Sequence, residues 1–221
     1  MKLSRLTVVA GHYGSGKTNL AVNYAVYLRS RVERVTVCDL DIVNPYFRTK
    51  DAEALLHEKD IRLISSAFAN TNVELPGIPP EARASFDDTE MYSVVDLGGD
   101  DRGAYALGRY AGLIADAEMW MVINMYRPMT ASAEQLQGIM EEIEGASSAR
   151  FTGIVNNSNL GAQTTARDVM ASLEYAADAS GLTGLPVVMT SAREELCAEL
   201  SGEIENLFPL RIMVKPGWAT D

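Results

Sequence analysis

Gly11-His12-Tyr13-Gly14-Ser15-Gly16-Lys17-Thr18 decides how this chain reads. It follows the apolar run 6–10 and precedes an amphipathic stretch, 18–30, with Leu20, Tyr24 and Leu28 on one helical face. Strand, glycine-rich loop ending in Gly-Lys-Thr, then helix is the context in which GxxxxGK[ST] has a physical meaning. The glycines allow backbone N–H groups to curl around a phosphate. Lys17 adds a positive charge for the β/γ-phosphates, and the Thr18 hydroxyl is placed to ligate Mg²⁺. A helix beginning there points its positive end at the anion. Residues 11–19 (Gly11, His12, Tyr13, Gly14, Ser15, Gly16, Lys17, Thr18 and Asn19) are therefore candidate nucleotide contacts.

Two further segments carry acids where such a loop needs them. The second apolar run ends in Cys38-Asp39-Leu40-Asp41-Ile42, and carboxylates at i and i+2 on a strand end point the same way. A later run ends in Val94-Val95-Asp96-Leu97-Gly98-Gly99, an aspartate closing a strand with glycines that let the backbone approach a phosphate. In open α/β sheets, ligands bind at the carboxyl ends of the strands, where these residues fall.

Apolar runs 6–10, 35–38, 92–95, 119–123, 151–155 and 186–189 read as strands, nearly continuous rather than alternating and so covered on both faces. Helical patterns at 18–30, 131–144 and 165–180 lie between them, and the alternation implies a mostly parallel sheet with right-handed crossovers. Residues 67–88, with Pro76, Pro79 and Pro80, interrupt the rhythm and read as a long surface excursion. Without a repeat or linker, residues 1–221 are expected to form one domain.

A net charge of −11 disfavours a nucleic-acid partner. No apolar run approaches a membrane span, the start lacks a leader pattern, and 209–221 is not an amphipathic helix, so a cytoplasmic protein that does not act at membranes is expected. Cys38 and Cys197 lack metal-site spacing and read as packing residues, as do Met119, Met121, Met125 and Met129.

The loop at Gly11–Thr18, the Asp39-Leu40-Asp41 segment, Asp96-Leu97-Gly98-Gly99 and Gly153-Ile154-Val155-Asn156-Asn157-Ser158 together resemble the MinD/ParA/CobQ-type P-loop ATPases. This is the SIMIBI branch, which includes nitrogenase iron protein and metal-centre maturation ATPases. The resemblance implies a three-layer α/β P-loop NTPase fold with a mostly parallel central sheet flanked by helices. It implies ATP and Mg²⁺ as ligands, with Thr18, Asp39 and Asp96 on the metal side. Lys17 and Asp41 are the implied catalytic residues, Asp41 orienting the attacking water. Gly99 falls at the γ-phosphate. An asparagine at the late strand end would meet adenine, Asn157 being the better match and Asn156 the alternative. A guanine-binding relative would show an NKxD-like segment, and Asn157-Ser158-Asn159-Leu160 lacks its lysine and acid.

Many of these ATPases carry a signature lysine after the first loop glycine that reaches the partner's nucleotide in a face-to-face homodimer. Here that position is His12, which carries little charge at neutral pH. Arg48, Lys50, Arg102 and Arg109 are cations near the two acidic segments, and Pro45-Tyr46-Phe47 is a candidate partner surface. The leading expectation is an ATP-driven switch acting on a protein partner, of the redox-enzyme or metal-centre maturation kind. The alternative is a small-molecule kinase or ligase, with His12, Tyr13 and 67–88 beside the γ-phosphate. A nucleotide-sensing scaffold with negligible turnover is a third reading.

Overall fold

The computed structural model describes residues 3–41, 49–65, 80–98 and 101–214. Arg48, Gly99, Pro45-Tyr46-Phe47 and residues 67–79 of the expected excursion lie outside them, as do the side chains of Lys50 and Arg102.

Among the described residues, eight parallel strands form one sheet. They are β1 (Leu6–Ala10), β2 (Val35–Leu40), β3 (Arg62–Ser65), β4 (Tyr92–Leu97), β5 (Glu118–Ile123), β6 (Gly153–Asn156), β7 (Val187–Arg193) and β8 (Leu207–Leu210), in the order β3-β2-β4-β1-β5-β6-β7-β8. The helices are α1 (Lys17–Arg29), α2 (Glu53–Glu58), α3 (Pro80–Asp87), α4 (Asp101–Gly108), α5 (Ala133–Ser147), α6 (Ala166–Thr183) and α7 (Cys197–Leu200). The order reverses at β1, which sends its connection through α1 to β2, while β5 to β8 extend the sheet the other way.

Both faces of the sheet are covered, which is why its strands read as unbroken apolar runs. On one face, Leu20, Tyr24 and Leu28 of α1 and Leu56 of α2 pack on Val9, Val37, Val94 and Val122. On the other, Phe86 of α3, Leu107 of α4, Leu136 and Ile143 of α5 and Ala176 of α6 pack on Val8, Val95, Met121 and Ile154. Each large apolar side chain so buried contributes roughly 1.5–3 kcal/mol. Tyr24 meets Trp120 edge-on at 4.7 Å between ring centroids, fixing the tilt of α1 on β5.

Two strands escaped the pattern reading, β3 and β8, because both are edge strands. Arg62-Leu63-Ile64-Ser65 is short and half polar, and Leu207-Phe208-Pro209-Leu210 contains a proline that only an edge tolerates. The expectation of a surface excursion over 67–88 is corrected at its end: 80–87 is helix α3, with Ala82, Ser85 and Phe86 buried. Of the four methionines, Met119 and Met121 are core, whereas Met129 is 53% exposed.

Candidate nucleotide site

Three of the helices start differently, and the difference marks the site. Ser132 and Gln135 close a capping box on α5, and Thr165 and Asp168 close one on α6. Helix α1 has neither a side-chain cap nor an acid in its first turn. Its N-terminus thus presents neither a capping side chain nor a negative charge, as a helix end that receives an anion would. The residue ahead of it, Gly16, sits at φ 90°, and a Cβ there would lie 2.3 Å from Asn157 Nδ2. Only glycine lets this loop pass so close to the tip of β6.

Beside the loop stand the acids of β2 and β4. Cys38, Leu40, Val95 and Leu97 point into the α3–α6 face, so Asp39 and Asp96 between them point to the α1 side. The two aspartates are partners in strand register. The backbone N–H of Asp41 donates to Asp39 Oδ1 at 3.1 Å, drawing Asp41 back over the strand end. Asp96 is fully buried; Thr49 Oγ1 donates to its Oδ2 at 3.0 Å, and its Oδ1 has no partner. Burial pushes the Asp96 carboxyl up to about 6, against the pull of nearby Lys17 and with a further push from Asp41.

Asp96 Oδ1 and Ser15 Oγ are both buried without a hydrogen bond, and neither residue, nor Asp39, is on the wall of the cavity that Lys17, Thr18 and Asp41 line. Orphaned oxygens of this kind cost free energy unless a ligand or ion meets them. A hard divalent cation suits this donor set of Thr18 hydroxyl and two carboxylates, and phosphate oxygens or water would complete its shell. Among the described residues no three His, Cys, Asp or Glu side chains converge as a self-contained metal site.

That cavity, of about 530 Å³, extends from the loop to residues at the ends of β6, β7 and β8. Lys17, Thr18, Asn19, Asp41, Tyr13, Gly14, Gly16 and Asn157 all line it. Lys17 Nζ donates to His12 O at 3.3 Å, while the His12 ring lies against Tyr13 O at 3.1 Å. Asn157 ties loop to sheet: its Nδ2 donates to Ser15 O at 2.7 Å, and its Oδ1 accepts from Ser191 Oγ at 2.6 Å. Asn156 turns the other way, its Nδ2 donating to Ser172 Oγ of α6 at 2.8 Å. Of the two asparagines, Asn157 is the one on the cavity wall.

Sequence patterns did not point to Arg127, Thr49, Arg193 or residues 210–214. Arg127 follows the tip of β5, next to β1 in the sheet, and its Nε donates to Gly14 O at 3.0 Å. Among the cations expected near the switches, Arg109 is described and exposed past the end of α4. Arg193 and Leu210, Ile212 and Val214 line the far end of the cavity. Only the strand order, which is not written in any local string, brings them to the loop at Gly11.

An α/β sheet with a phosphate loop at its switch point, an uncapped helix behind it and two in-register acids beside it defines a nucleotide-binding P-loop protein. The chain belongs to the CobQ/CobB/MinD/ParA nucleotide-binding domain family, whose sequence model matches residues 6–199. No curated protein matches it significantly in sequence.

Solved structures of the same fold include the signal recognition particle 54 kDa protein of Aeropyrum pernix K1 in complex with GDP. That match has a TM-score of 0.56 and 16% identity over 98% of this chain, which spans 45% of that protein's length. A nucleotide-binding protein of Archaeoglobus fulgidus in complex with ADP matches with TM-score 0.51 and 12% identity, covering 87% of this chain and 83% of the other. FtsY of Mycoplasma mycoides matches with TM-score 0.51 and 17% identity, over 86% and 62% of the two chains. At these identities the likeness is one of fold.

Proposed function

We propose that the chain is a cytoplasmic, Mg²⁺-dependent ATPase switch that signals its nucleotide state to a protein partner, a redox enzyme or metal-centre assembly being the partner class suggested by family resemblance. The observation that carries the reading is the buried, unpartnered Asp96 Oδ1 beside Lys17 at the open end of α1. An apolar-packed strand does not retain such a carboxylate for stability.

In this reading the N–H groups of the loop and Lys17 hold the β- and γ-phosphates. Thr18, Asp39 and Asp96 would hold a Mg²⁺, which supplies positive charge against those phosphate oxygens. Asp41 orients a water whose oxygen bonds to the γ-phosphorus as the bond to the bridging oxygen breaks. ADP and inorganic phosphate result, and the water's proton leaves with the phosphate. The Asp39–Asp41 and Asp96–Gly99 segments are the ones whose contacts change when the γ-phosphate goes.

Adenine rather than guanine is favoured by the cavity wall. Among the described residues the only carboxylate on that wall is Asp41, and Glu195, close by the wall, is paired with Arg193, so neither is placed for the N1 and N2 donors of guanine.

Turnover of ATP and of GTP, each with Mg²⁺ and with EDTA, tests the reading. Mg²⁺-dependent ATP hydrolysis that Lys17→Ala abolishes is expected. Absence of both binding and hydrolysis of ATP overturns it, and transfer of phosphate to a carboxylate metabolite instead of water would establish the kinase alternative. Light scattering of Asp41→Ala held in ATP reads whether two copies pair with His12 in the signature-lysine position, using another cation, or whether that contact between copies is absent.

A further inference from the structure

Beyond β8 the chain continues as residues 211–214, alongside the first two turns of α1. Asn19 and Asn23 are one turn apart on that helix and face the same way. Asn23 Oδ1 accepts from Arg211 N at 2.9 Å while its Nδ2 donates to Arg211 O at 2.8 Å. Asn19 Oδ1 accepts from Met213 N at 2.8 Å and Val214 N at 3.0 Å, and its Nδ2 donates to Val214 O at 3.1 Å. A side-chain amide offers the same donor and acceptor as a peptide group. Two asparagines thus give this segment the pairing that a neighbouring strand gives elsewhere. On its other side, Arg211 Nη2 donates to Glu194 Oε1 at 2.8 Å, just past β7.

The segment is held this firmly where it walls the cavity. Every second residue, Leu210, Ile212 and Val214, lines it, at and beyond the edge strand β8, which lies on the opposite side of β1 from β4 and Asp96. The same cavity is lined by Gly161 and Thr164 ahead of α6, Val169 in its first turn, and Ala192 and Arg193 at the tip of β7. Ile212 is 46% exposed, a large apolar side chain on the cavity wall. Arg193 Nε, of another lining residue, is buried without a hydrogen bond and stands 3.9 Å from Glu195 Oε2 as an ion pair. An apolar wall whose neighbouring cation, Arg193, already has Glu195 against its charge suits a flat heteroaromatic ring better than a phosphate.

We propose that residues 210–214 are the base-side wall of the site, laid against the face of a purine ring, and that Asn19 and Asn23 are positioning residues that hold the wall in place. The proposal rests on the nucleotide reading above and adds what the far end recognises. It also gives α1 two tasks. Its first N–H groups meet the phosphates and its asparagines fix the base wall, so that one helix sets the distance between the two ends.

Titration calorimetry of the full chain with Mg·ATP and with Mg·tripolyphosphate tests it, because tripolyphosphate has no base. Asn19→Ala frees three hydrogen-bonding groups of the segment and is expected to weaken ATP by about tenfold. Ile212→Ser, on an exposed side chain whose change does not threaten folding, is expected to weaken ATP by about threefold. For both variants, tripolyphosphate affinity is expected to move by less than about twofold, below the cost of one lost hydrogen bond. Equal losses for the two ligands, or no loss of ATP affinity in folded Ile212→Ser, overturn the proposal. A wild-type chain that binds neither ligand overturns the nucleotide reading itself, which is a different result.

Discussion

Asp39 and Asp96 are in-register partners on adjacent parallel strands, and both project to the α1 side of the sheet. Parallel pairing repeats evenly, so two residues in register on one face stay side by side at the strand ends. The arrangement sets two carboxylates together beside Lys17 with Thr49 on one of them. Like charges so placed disfavour each other unless a cation lies between.

The ionisation of Asp96 has a measurable sign. Its folded pKa is raised to about 6 from an ordinary value of 3.8, so between those pH values the folded chain holds a proton that the unfolded chain has released. Stability therefore falls as pH rises through that window, and the penalty is complete above it. Asp96→Asn removes the penalty and keeps an acceptor for Thr49. In the ligand-free protein its melting temperature should match wild type near pH 4 and exceed it by a few degrees above pH 7, as read by thermal unfolding across that range. A difference that does not grow with pH would refute this account of the carboxylate.

The close pass of Gly16 beneath Asn157 predicts a coupled pair. Gly14→Ala, at φ 79° with its nearest neighbour at 3.6 Å, should cost about 1–2 kcal/mol from backbone strain alone. Gly16→Ala carries the same strain and also displaces Asn157, leaving Ser15 O and Ser191 Oγ unpaired for roughly 1–3 kcal/mol more. Denaturant unfolding of Gly16→Ala, Asn157→Ala and the double variant should show strong non-additivity, since the alanine at 157 removes the obstacle.

Asp41 is assigned to the water, not to holding the nucleotide. Asp41→Ala should retain ATP binding within a few-fold while slowing hydrolysis by about a hundredfold or more. Single-turnover kinetics beside equilibrium binding would separate the two, and a parallel loss of both would reassign Asp41 to nucleotide binding.

Arg127 predicts a subtler effect. Its guanidinium braces Gly14 O from outside the loop. Replacement by methionine, which keeps the length and removes the donor, should raise the KM for ATP with a smaller change in kcat, because an exposed hydrogen bond that orders the loop acts before chemistry.

How far the string alone led differs between the two ends of the site. The phosphate end was legible because Gly11–Thr18 is contiguous and because Asp39 and Asp96 each close an apolar run. The sheet was legible wherever strands are buried on both faces, and failed at β3 and β8, where exposure permits Arg62 and Pro209. The far end was hidden for a different reason. Asn157, Ser191 and Val214 come together only because β5, β6, β7 and β8 extend from β1 in that order. No local pattern records an order of strands. Asn19 was legible as a residue of the site, yet its amide proves to be spent on Met213 and Val214.

The asparagine clasp on residues 211–214 joins positions separated by 188 to 195 residues along the chain. During synthesis on the ribosome, the loop at Gly11 emerges early and can curl on β1 long before those residues exist. A nascent polypeptide would then present a finished phosphate cradle with its opposite side missing. Competence to discriminate one nucleotide from another would arrive only when the last strand has docked, so nucleotide selectivity would itself report that translation had reached Val214.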